Sequence, residues 1–180
     1  MELGRRIKII GSAGSGKSTL ARQMGEKLDI PVAYLDAWFW GPHWEPNPAE
    51  AFLERVKGEA EKPAWIMEGN YSATLEPRLQ RAQSIIFLDM GRLRCLYRVI
   101  RRYWNYRGKI RPDIAEGCEE KLDWAFIQYI WTDPKRSRKK RLQLLERVKG
   151  DMQTYHLVGK RDVDRFWKGF LASERNGGMG

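Results

Sequence analysis

The chain has 180 residues, of which 42% are hydrophobic and 12% aromatic, including eight tryptophans. This composition is typical of a packed core and excludes disorder for most of the chain, and the length fits one domain but not two full ones. The longest apolar runs are short, and residues 1–6 lack the apolar stretch of a signal peptide. We therefore expect one domain over residues 1–180, in a cytoplasmic protein without a membrane span.

The net charge is +10, and its placement is more informative than its size. Residues 91–150 contain 17 Lys and Arg against seven Asp and Glu, whereas the rest of the chain contains 16 of each. A domain with its positive charge in one block usually meets phosphate there, as nucleic acid or as a small polyphosphate ligand. A solvated helix face is the alternative.

Cysteines and histidines exclude several kinds of site. Cys95 and Cys118 stand alone, and neither has the spacing of a disulfide framework or a zinc site, so we expect reduced, buried thiols. His43 and His156 are the only histidines, and no Ser–His–Asp or Cys–His arrangement can be built around them. The sequence therefore does not predict a hydrolase of that kind.

The first predicted element is a strand at residues 7–10, followed by a glycine-rich loop and then by a helical pattern. The loop has the Walker A spacing G-x-x-x-x-G-K-[ST], whose main-chain amides and following helix bind phosphate oxygens. Lys17 would neutralise the β- and γ-phosphates, and the Ser18 hydroxyl would bind magnesium. The residues predicted to bind ATP are Gly11, Ser12, Ala13, Gly14, Ser15, Gly16, Lys17, Ser18 and Thr19.

Four further strands are predicted in chain order, with helical patterns between them, at residues 32–35, 64–67, 85–88 and 155–158. Parallel strands joined by helices form an α/β sheet that binds ligands at the carboxyl ends of its strands. Asp36, Glu68 and Asp89 stand at or just past such ends. We expect Asp36 and Glu68 to be functional, with Glu68 near the metal, and Asp89 to cap the next helix.

Several blocks of the sequence resemble one known family. They are residues 11–19, Tyr34-Leu-Asp-Ala-Trp-Phe-Trp40, Glu68-Gly-Asn-Tyr-Ser72, Ile86-Phe-Leu-Asp89 and Arg111-Pro-Asp-Ile-Ala-Glu-Gly-Cys118. Over nearly the whole chain they are similar to adenylate-kinase-related proteins described as DNA topology modulation proteins, the FlaR type. The phosphate loop is shared by many NTPases, whereas the Trp-Phe-Trp, Gly-Asn-Tyr-Ser and Arg-Pro-Asp blocks are more selective.

The resemblance implies a three-layer P-loop NTPase fold, with a five-stranded parallel sheet in the order 2-3-1-4-5, helices on both faces and a mobile, arginine-rich helical lid. We expect the lid at about residues 103–134, with Gly108, Arg111-Pro112 and Gly117 at its bends. The glycines can equally be turn residues, and the aromatic residues of this segment can equally be core.

Arginines after the fourth strand are the predicted phosphate contacts of the transferred group. Arg98 and Arg102 are four residues apart on a predicted helix over residues 92–106 and therefore share a face. A similar pair contacts phosphates in adenylate kinases. By the same resemblance, Arg136 and Arg138 return from the far end of the lid.

The acceptor is open at this stage. Nucleotide kinases usually have Asp-Gly-Phe-Pro-Arg where this chain has Glu68-Gly-Asn-Tyr71, so the arginine that binds a nucleoside monophosphate is absent. Asp36 favours a hydroxyl acceptor, since a carboxylate can take its proton, and kinases of the shikimate and gluconate type resemble this arrangement. The aromatic loop after the second strand either stacks on the acceptor or packs as core. The predicted substrate contacts are Asp36, Trp40, Asn70 and Arg78.

The sequence thus predicts an ATP- and magnesium-dependent kinase of a nucleoside, nucleotide or other small metabolite. Its predicted catalytic residues are Lys17, Asp36, Arg98, Arg102, Arg136 and Arg138. The alternative is an NTP-binding regulator that contacts nucleic acid through basic residues 91–150, as the description of the family suggests.

Overall fold

The computed structural model describes residues 3–107, 113–115, 117–118 and 122–177. Five parallel strands form one sheet in the order β2-β3-β1-β4-β5, which confirms the predicted topology. The strands are β1 (Arg6–Gly11), β2 (Val32–Tyr34), β3 (Trp65–Glu68), β4 (Ser84–Asp89) and β5 (Gln153–Val158).

Helices connect these strands. They are α1 (Lys17–Leu28), α2 (Leu35–Phe39), α3 (Ala49–Ala60), α4 (Leu75–Arg81), α5 (Arg92–Tyr106), α6 (Trp124–Val148) and α7 (Gly159–Gly177). Short 3-10 turns stand at Pro42–Trp44 and Ser72–Thr74. The predicted end of the lid at Pro134 falls inside α6, which continues through the proline. Gly108, Arg111 and Pro112 lie outside the described residues.

Helices cover both faces of the sheet and thereby bury its central strands on both sides. Ile7 and Ile9 of β1 pack in one cluster with residues of α1 and α7. Ile10 points to the opposite face and packs with residues of α4 and α6, and α3 covers the β2–β3 edge. Among the described residues, no helix is both long and apolar enough to cross a membrane.

The parallel arrangement brings the ends of four strands to one edge of the sheet. The register pairs Ile9 of β1 with Glu68 of β3, and Tyr34 of β2 with the same Glu68. On the other side, Gly11 pairs with Leu88 of β4. The phosphate loop, the acid of β3 and the chain after β2 therefore meet at this edge.

A lysine is buried in the middle of the central strand. Lys8 pairs with Met67 and Ile85 in the sheet, is fully buried, and its ammonium nitrogen has no hydrogen-bond partner among the described residues. Burial, and secondarily the Arg78 guanidinium, lowers the pKa of Lys8 well below its usual value. Folding therefore shifts the protonation equilibrium of Lys8 towards the uncharged amine.

We predict that Lys8→Met stabilises the fold and flattens its dependence on pH. The unfolded chain binds a proton at Lys8 up to about pH 10.4, whereas the folded chain releases it at lower pH, so wild-type stability rises with pH between these two pKa values. At a pH below both pKa values, the substitution removes a cost of about 1.4 kcal/mol for each unit by which folding lowers the pKa. Urea unfolding at pH 7 and pH 9.5 measures both effects.

Lys27→Met, on the exposed surface of α1, is the control for adding a methionine. It should change neither the stability nor its slope with pH. Equal slopes for wild type and Lys8→Met would contradict a lowered pKa of Lys8 in the folded protein.

Candidate active site

A cavity of about 1470 Å³ lies where the strand ends meet. Its walls are the phosphate loop, the segments after β2 and β3, and the facing sides of α5 and α6. The structure brings together most of the residues predicted from sequence. Those that line the cavity are Ala13, Gly14, Ser15, Gly16, Lys17, Ser18, Thr19, Asp36, Trp40, Glu68, Asn70, Arg98, Arg102 and Arg136.

Two glycines of the phosphate loop have a left-handed backbone conformation and lie so close to α5 that a side chain would not fit. Gly14 and Gly16 have φ of 74° and 101°, in the left-handed region that other residues rarely adopt. A Cβ atom at Gly16 would stand 2.7 Å from Arg98 Nη1, and one at Gly14 would overlap the carbonyl of Cys95. Helix α5 therefore packs directly against the phosphate loop.

The first turn of α1 leaves donors available to a ligand. Gly16 precedes the helix and no side chain caps its amides, which form the positive end of the helix dipole. The Ser15 hydroxyl is buried and has no hydrogen-bond partner among the described residues. Such a cradle of unsatisfied donors fits a phosphate group.

Lys17, Ser18 and Glu68 form a cluster at the end of β3. The Lys17 ammonium lies 3.3 Å from Glu68 Oε1 and donates to the Ser12 carbonyl at 3.3 Å, while the Ser18 hydroxyl donates to Glu68 Oε2 at 3.1 Å. Burial raises the pKa of Glu68, and the Lys17 ammonium opposes this effect. A hydroxyl beside a carboxylate is a set of hard oxygen ligands that suits magnesium, which takes few protein ligands. The described residues contain no group of three or more His, Cys, Asp and Glu placed to bind a metal.

Asn70 ties the segment after β3 to the phosphate loop. Its amide nitrogen donates to the Gly11 carbonyl at 2.9 Å, and its amide oxygen accepts from the Gly11 amide at 3.3 Å. Asn70 lines the cavity as expected, but these two bonds also give it a structural role that sequence reasoning missed.

Asp36 is held by a tyrosine that the sequence analysis did not single out. The Tyr71 hydroxyl donates to Asp36 Oδ1 at 2.6 Å. Burial, followed by the Asp36 charge, raises the pKa of Tyr71, so the phenol stays protonated and keeps donating. This bond fixes the orientation of the carboxylate at the cavity wall.

The aromatic loop after β2 has some residues that pack in the core and others that line the cavity. Phe39 packs edge-on against Phe52 of α3 and is tilted against Tyr71, as a core residue does. Trp40 and Trp44 contact each other at a centroid distance of 5.8 Å, and both line the cavity.

The tip of the predicted lid contacts this loop. The His43 amide donates to the Gly117 carbonyl at 3.0 Å, and the buried Cys118 thiol donates to the Gly41 carbonyl at 3.0 Å. Cys95 is also a buried free thiol, as expected. Gly117 and Cys118 thus pack on the loop that follows β2.

Arginines of α5 and α6 line another part of the cavity wall. Arg98 Nη1 donates to the Ser15 carbonyl at 2.6 Å and so supports the phosphate loop directly. Burial lowers the pKa of Arg98, with a smaller effect of Arg94. Arg102 and Arg136 also line the cavity.

A buried network on α6 was missed by the sequence analysis. Arg141 donates through Nη1 to Ser12 Oγ and through Nη2 to Asp133 Oδ2, both at 2.9 Å, and Ser137 donates to Asp133 Oδ1 at 2.6 Å. Burial acts to raise the pKa of Asp133, but the hydrogen bonds from Ser137 and Arg141 lower it overall. The spacing of four residues from Asp133 to Ser137 to Arg141 was the available signal, because it puts all three on one helix face.

Two predicted arginines lie elsewhere. Arg78 is fully buried and donates to the main-chain carbonyls of Gly69, Asn70, Tyr71 and Thr74. Burial lowers its pKa to about 10. We therefore correct the expected role of Arg78: its donors shape the chain after β3 and do not reach an acceptor anion.

Arg138 does not line the cavity and instead donates to Asp89 Oδ2 at 2.8 Å. The same oxygen is 2.8 Å from His156 Nε2. The expectation that Asp89 caps a helix is wrong, since Gly91 precedes α5 and no side chain caps it.

Part of the positive charge of segment 91–150 lines the cavity. Among the described residues of this segment, six basic and three acidic residues line it, together with Lys17, Arg22 and Lys160 from other parts of the chain. This placement favours a small polyphosphate ligand over the backbone of a nucleic acid. The six residues are Arg98, Arg101, Arg102, Arg136, Lys140 and Arg141.

No family model and no curated protein matches the chain. Solved structures do match its fold. A shikimate kinase from Bacteroides thetaiotaomicron is 16% identical with a TM-score of 0.54, over 93% of this chain and 98% of that chain. A gluconokinase from Sinorhizobium meliloti 1021 is 14% identical with a TM-score of 0.50, over 96% of this chain and 99% of that chain. The protein therefore has the fold of P-loop kinases, and membership of the FlaR-type family stays a prediction.

We predict that Arg141→Met destabilises the fold by about 3–5 kcal/mol, because it leaves the Asp133 carboxylate buried without its ion partner. The control is Arg147→Met, which removes an exposed ion pair with Glu76 and should cost at most about 1 kcal/mol. Chemical denaturation of both variants measures the difference. Equal effects would mean that the network does not stabilise α6 against the phosphate loop.

Proposed function

We propose that the protein is an ATP- and magnesium-dependent kinase that transfers the γ-phosphoryl group to a hydroxyl group of a small molecule. The observation on which this rests is the position of Asp36 in the same cavity as the phosphate loop. An acceptor phosphate is already ionised and needs cations, whereas an acceptor hydroxyl gains from a carboxylate that takes its proton.

On the donor side, the glycine-rich loop and the first turn of α1 would bind the phosphates through main-chain amides. Lys17, Arg98 and Arg141 surround this loop with positive charge, which stabilises the charge that spreads over the transferred group. Magnesium, when bound, neutralises phosphate charge, and Ser18 and Glu68 are the residues that would hold it.

On the acceptor side, the Tyr71 hydroxyl keeps the Asp36 carboxylate oriented, and Trp40 and Trp44 offer aromatic faces for a planar or ring-shaped acceptor. The fold is shared with proteins called shikimate kinase and gluconokinase, whose names denote hydroxyl-bearing small acceptors. A small hydroxyl compound is accordingly the acceptor class that we propose.

The segment around Gly117 would close the acceptor side. Gly117 and Cys118 bond to the main chain of His43 and Gly41, and these bonds would hold them against the loop while they limit the access of water. Exclusion of water limits hydrolysis of ATP without transfer, which is the usual reason for a lid in kinases.

Lys17→Ala should reduce phosphoryl transfer at least about 100-fold, because it removes the ammonium beside the phosphates. The assay is coupled ADP release, screened over nucleosides, nucleotides, sugars and hydroxy acids, with a reaction without acceptor to measure idle hydrolysis. Lys27→Ala, an exposed lysine on the same helix, is the matched control and should retain full activity. Undiminished transfer by Lys17→Ala would contradict the proposed donor site.

Asp36→Asn should reduce kcat by roughly 100- to 10,000-fold with any active acceptor, because the amide cannot take the hydroxyl proton. ATP affinity measured by calorimetry should stay within about twofold, since Asp36 is assigned to the acceptor. Asp29→Asn, at the exposed left-handed end of α1, is the control because asparagine also tolerates that conformation. Full activity of Asp36→Asn would argue for an acceptor that is already ionised.

A further inference from the structure

The charge of the chain is divided unevenly along the sequence. Residues 28–54, which include β2 and the aromatic loop that follows it, contain five acidic residues and neither Lys nor Arg. The net charge of the whole chain is +10, so this segment is an acidic part of a basic protein. The five acids are Asp29, Asp36, Glu45, Glu50 and Glu54.

The walls of the cavity show the same division. Nine Lys and Arg side chains line it, and they come from α1, α5, α6 and α7. Among the described residues, the segments after β2 and at the end of β3 contribute Asp36 and Glu68 to the lining, and no basic residue. Arg22 lines the cavity from α1, but its guanidinium lies 3.8 Å from Glu26 of the same helix. An acceptor bound against these two segments therefore meets more negative than positive charge.

Two tryptophan rings form a corner on this acidic side. Trp40 and Trp44 both line the cavity and are half-buried. They contact each other edge-on, with ring centroids 5.8 Å apart and ring planes at 67°. Ring faces that stand at a wide angle to each other are the arrangement by which aromatic cages bind ammonium groups, and tryptophan is the strongest ring for this attraction.

The backbone that carries the corner is strained. His43 and Trp44 have φ of 59° and 65°, in the left-handed region that residues other than glycine seldom adopt and bulky ones least of all. The bond from the His43 amide to the Gly117 carbonyl, at 3.0 Å, helps to hold this conformation. Because backbone strain of this kind persists mainly where a ligand is bound or a reaction takes place, it favours a functional position for the Trp44 ring.

The corner lies beside the carboxylate that is assigned to the acceptor hydroxyl. The Trp40 amide donates to the Asp36 carbonyl at 3.1 Å, so the two residues are one helical turn apart. Side chains in such a pair have Cβ atoms about 5–6 Å apart. A second carboxylate, Asp113, also lines the cavity, and its charge, after burial, raises the pKa of Tyr34. A ligand here thus meets a proton acceptor and a pair of cation-binding rings that are only a few covalent bonds apart.

The three charge classes of acceptor differ in how well they fit this wall. Asp36 and Glu68 would repel an anionic group, and a neutral sugar would use the rings but not the negative charge. A cationic group uses both. The same segment already binds a cation in this way, since the Arg55 guanidinium lies 4.4 Å from the centre of the Trp38 ring.

We propose that the acceptor is a small alcohol that carries an ammonium group, as amino alcohols and amino sugars do. The ammonium lies against the rings of Trp40 and Trp44, and the hydroxyl points to Asp36. This inference rests on the proposed kinase function and names the class of its acceptor.

The reaction that follows is balanced without a further reactant. The hydroxyl oxygen of the acceptor forms a bond to the γ-phosphorus of ATP, and the bond from this phosphorus to the β,γ-bridging oxygen breaks. Asp36 takes the hydroxyl proton, and ADP leaves. The product is a phosphate monoester that keeps its ammonium group.

The first test measures turnover with hydroxyl compounds that are matched in shape and differ in charge. Glucosamine, glucose and gluconate form one set, and choline and 3,3-dimethyl-1-butanol form another, each assayed by coupled ADP release at saturating ATP and magnesium. The best ammonium compound should have a kcat/KM at least about tenfold above that of its neutral or acidic partner. The set that contains it distinguishes an amino sugar from an amino alcohol. A higher kcat/KM for a neutral or acidic compound would overturn the inference and leave the kinase function standing.

The second test measures binding of the same compounds by calorimetry, without ATP. At least one ammonium compound should bind about tenfold more tightly than its neutral partner. Such a preference without turnover of any compound would support the cation site and contradict the kinase function. The absence of a preference for the ammonium member in every set would overturn the inference.

Variants of the corner assign the preference to its rings. Trp40→Leu and Trp44→Leu should each weaken binding of the preferred ammonium compound at least about tenfold, but change binding of its neutral partner less than about threefold. Trp40→Phe keeps a ring and should lose less affinity than Trp40→Leu. Trp104→Leu, which removes an exposed tryptophan of α5, is the matched control and should bind both compounds as the wild type does.

ATP affinity, measured by calorimetry, shows that each variant is folded. Should one leucine variant fail to bind ATP, the other carries the comparison. An equal loss of affinity for the ammonium compound and its neutral partner would mean that the tryptophans only pack against the ligand, and it would overturn the inference.

Discussion

The contact between Lys17 and Glu68 joins the two strands on which the site is built. The lysine follows β1 through the phosphate loop, and the glutamate ends β3, so their 3.3 Å separation depends on the parallel register of these neighbouring strands. The carboxylate is buried, where an unpaired charge would be costly, and the lysine supplies its partner. In the proposed function, a phosphate ligand with its divalent cation would meet both of these charges at once.

Buried charges in this protein separate into two kinds. Glu68 and Asp133 have cationic partners that also touch the phosphate loop, so their burial organises the cavity. Lys8 and Arg78 lie behind the site, and Arg78 is satisfied by main-chain carbonyls whereas the Lys8 amine has no hydrogen bond among the described residues. The first kind organises the cavity. The second kind is a cost within the core, because desolvation penalises a buried charge that has no counter-charge beside it.

The two sides of α5 connect the site with the exterior. Its inner side supports the phosphate loop through Arg98 and the carbonyl of Cys95, while its outer side exposes apolar side chains from Leu93 to Trp104.

The sequence by itself located the strands, through short apolar runs, and the phosphate loop, whose glycine and lysine spacing is local. The order of the strands in the sheet followed only from the resemblance of several blocks to a known family. The sequence also placed Asp36 and Glu68 at the ends of strands, where the structure shows them lining the cavity, because the end of a strand is a position that sequence can locate. It could not assign Arg78, Arg138 or Arg141, since all three are arginines in helices and only packing decides that Arg78 faces main-chain carbonyls, Arg138 faces Asp89 and Arg141 reaches Ser12. The physical reason is the separation along the chain between interacting residues. Loop conformation depends on neighbouring residues. The partner of a long charged side chain can lie up to 129 positions away, where only the tertiary fold brings the two within 3 Å.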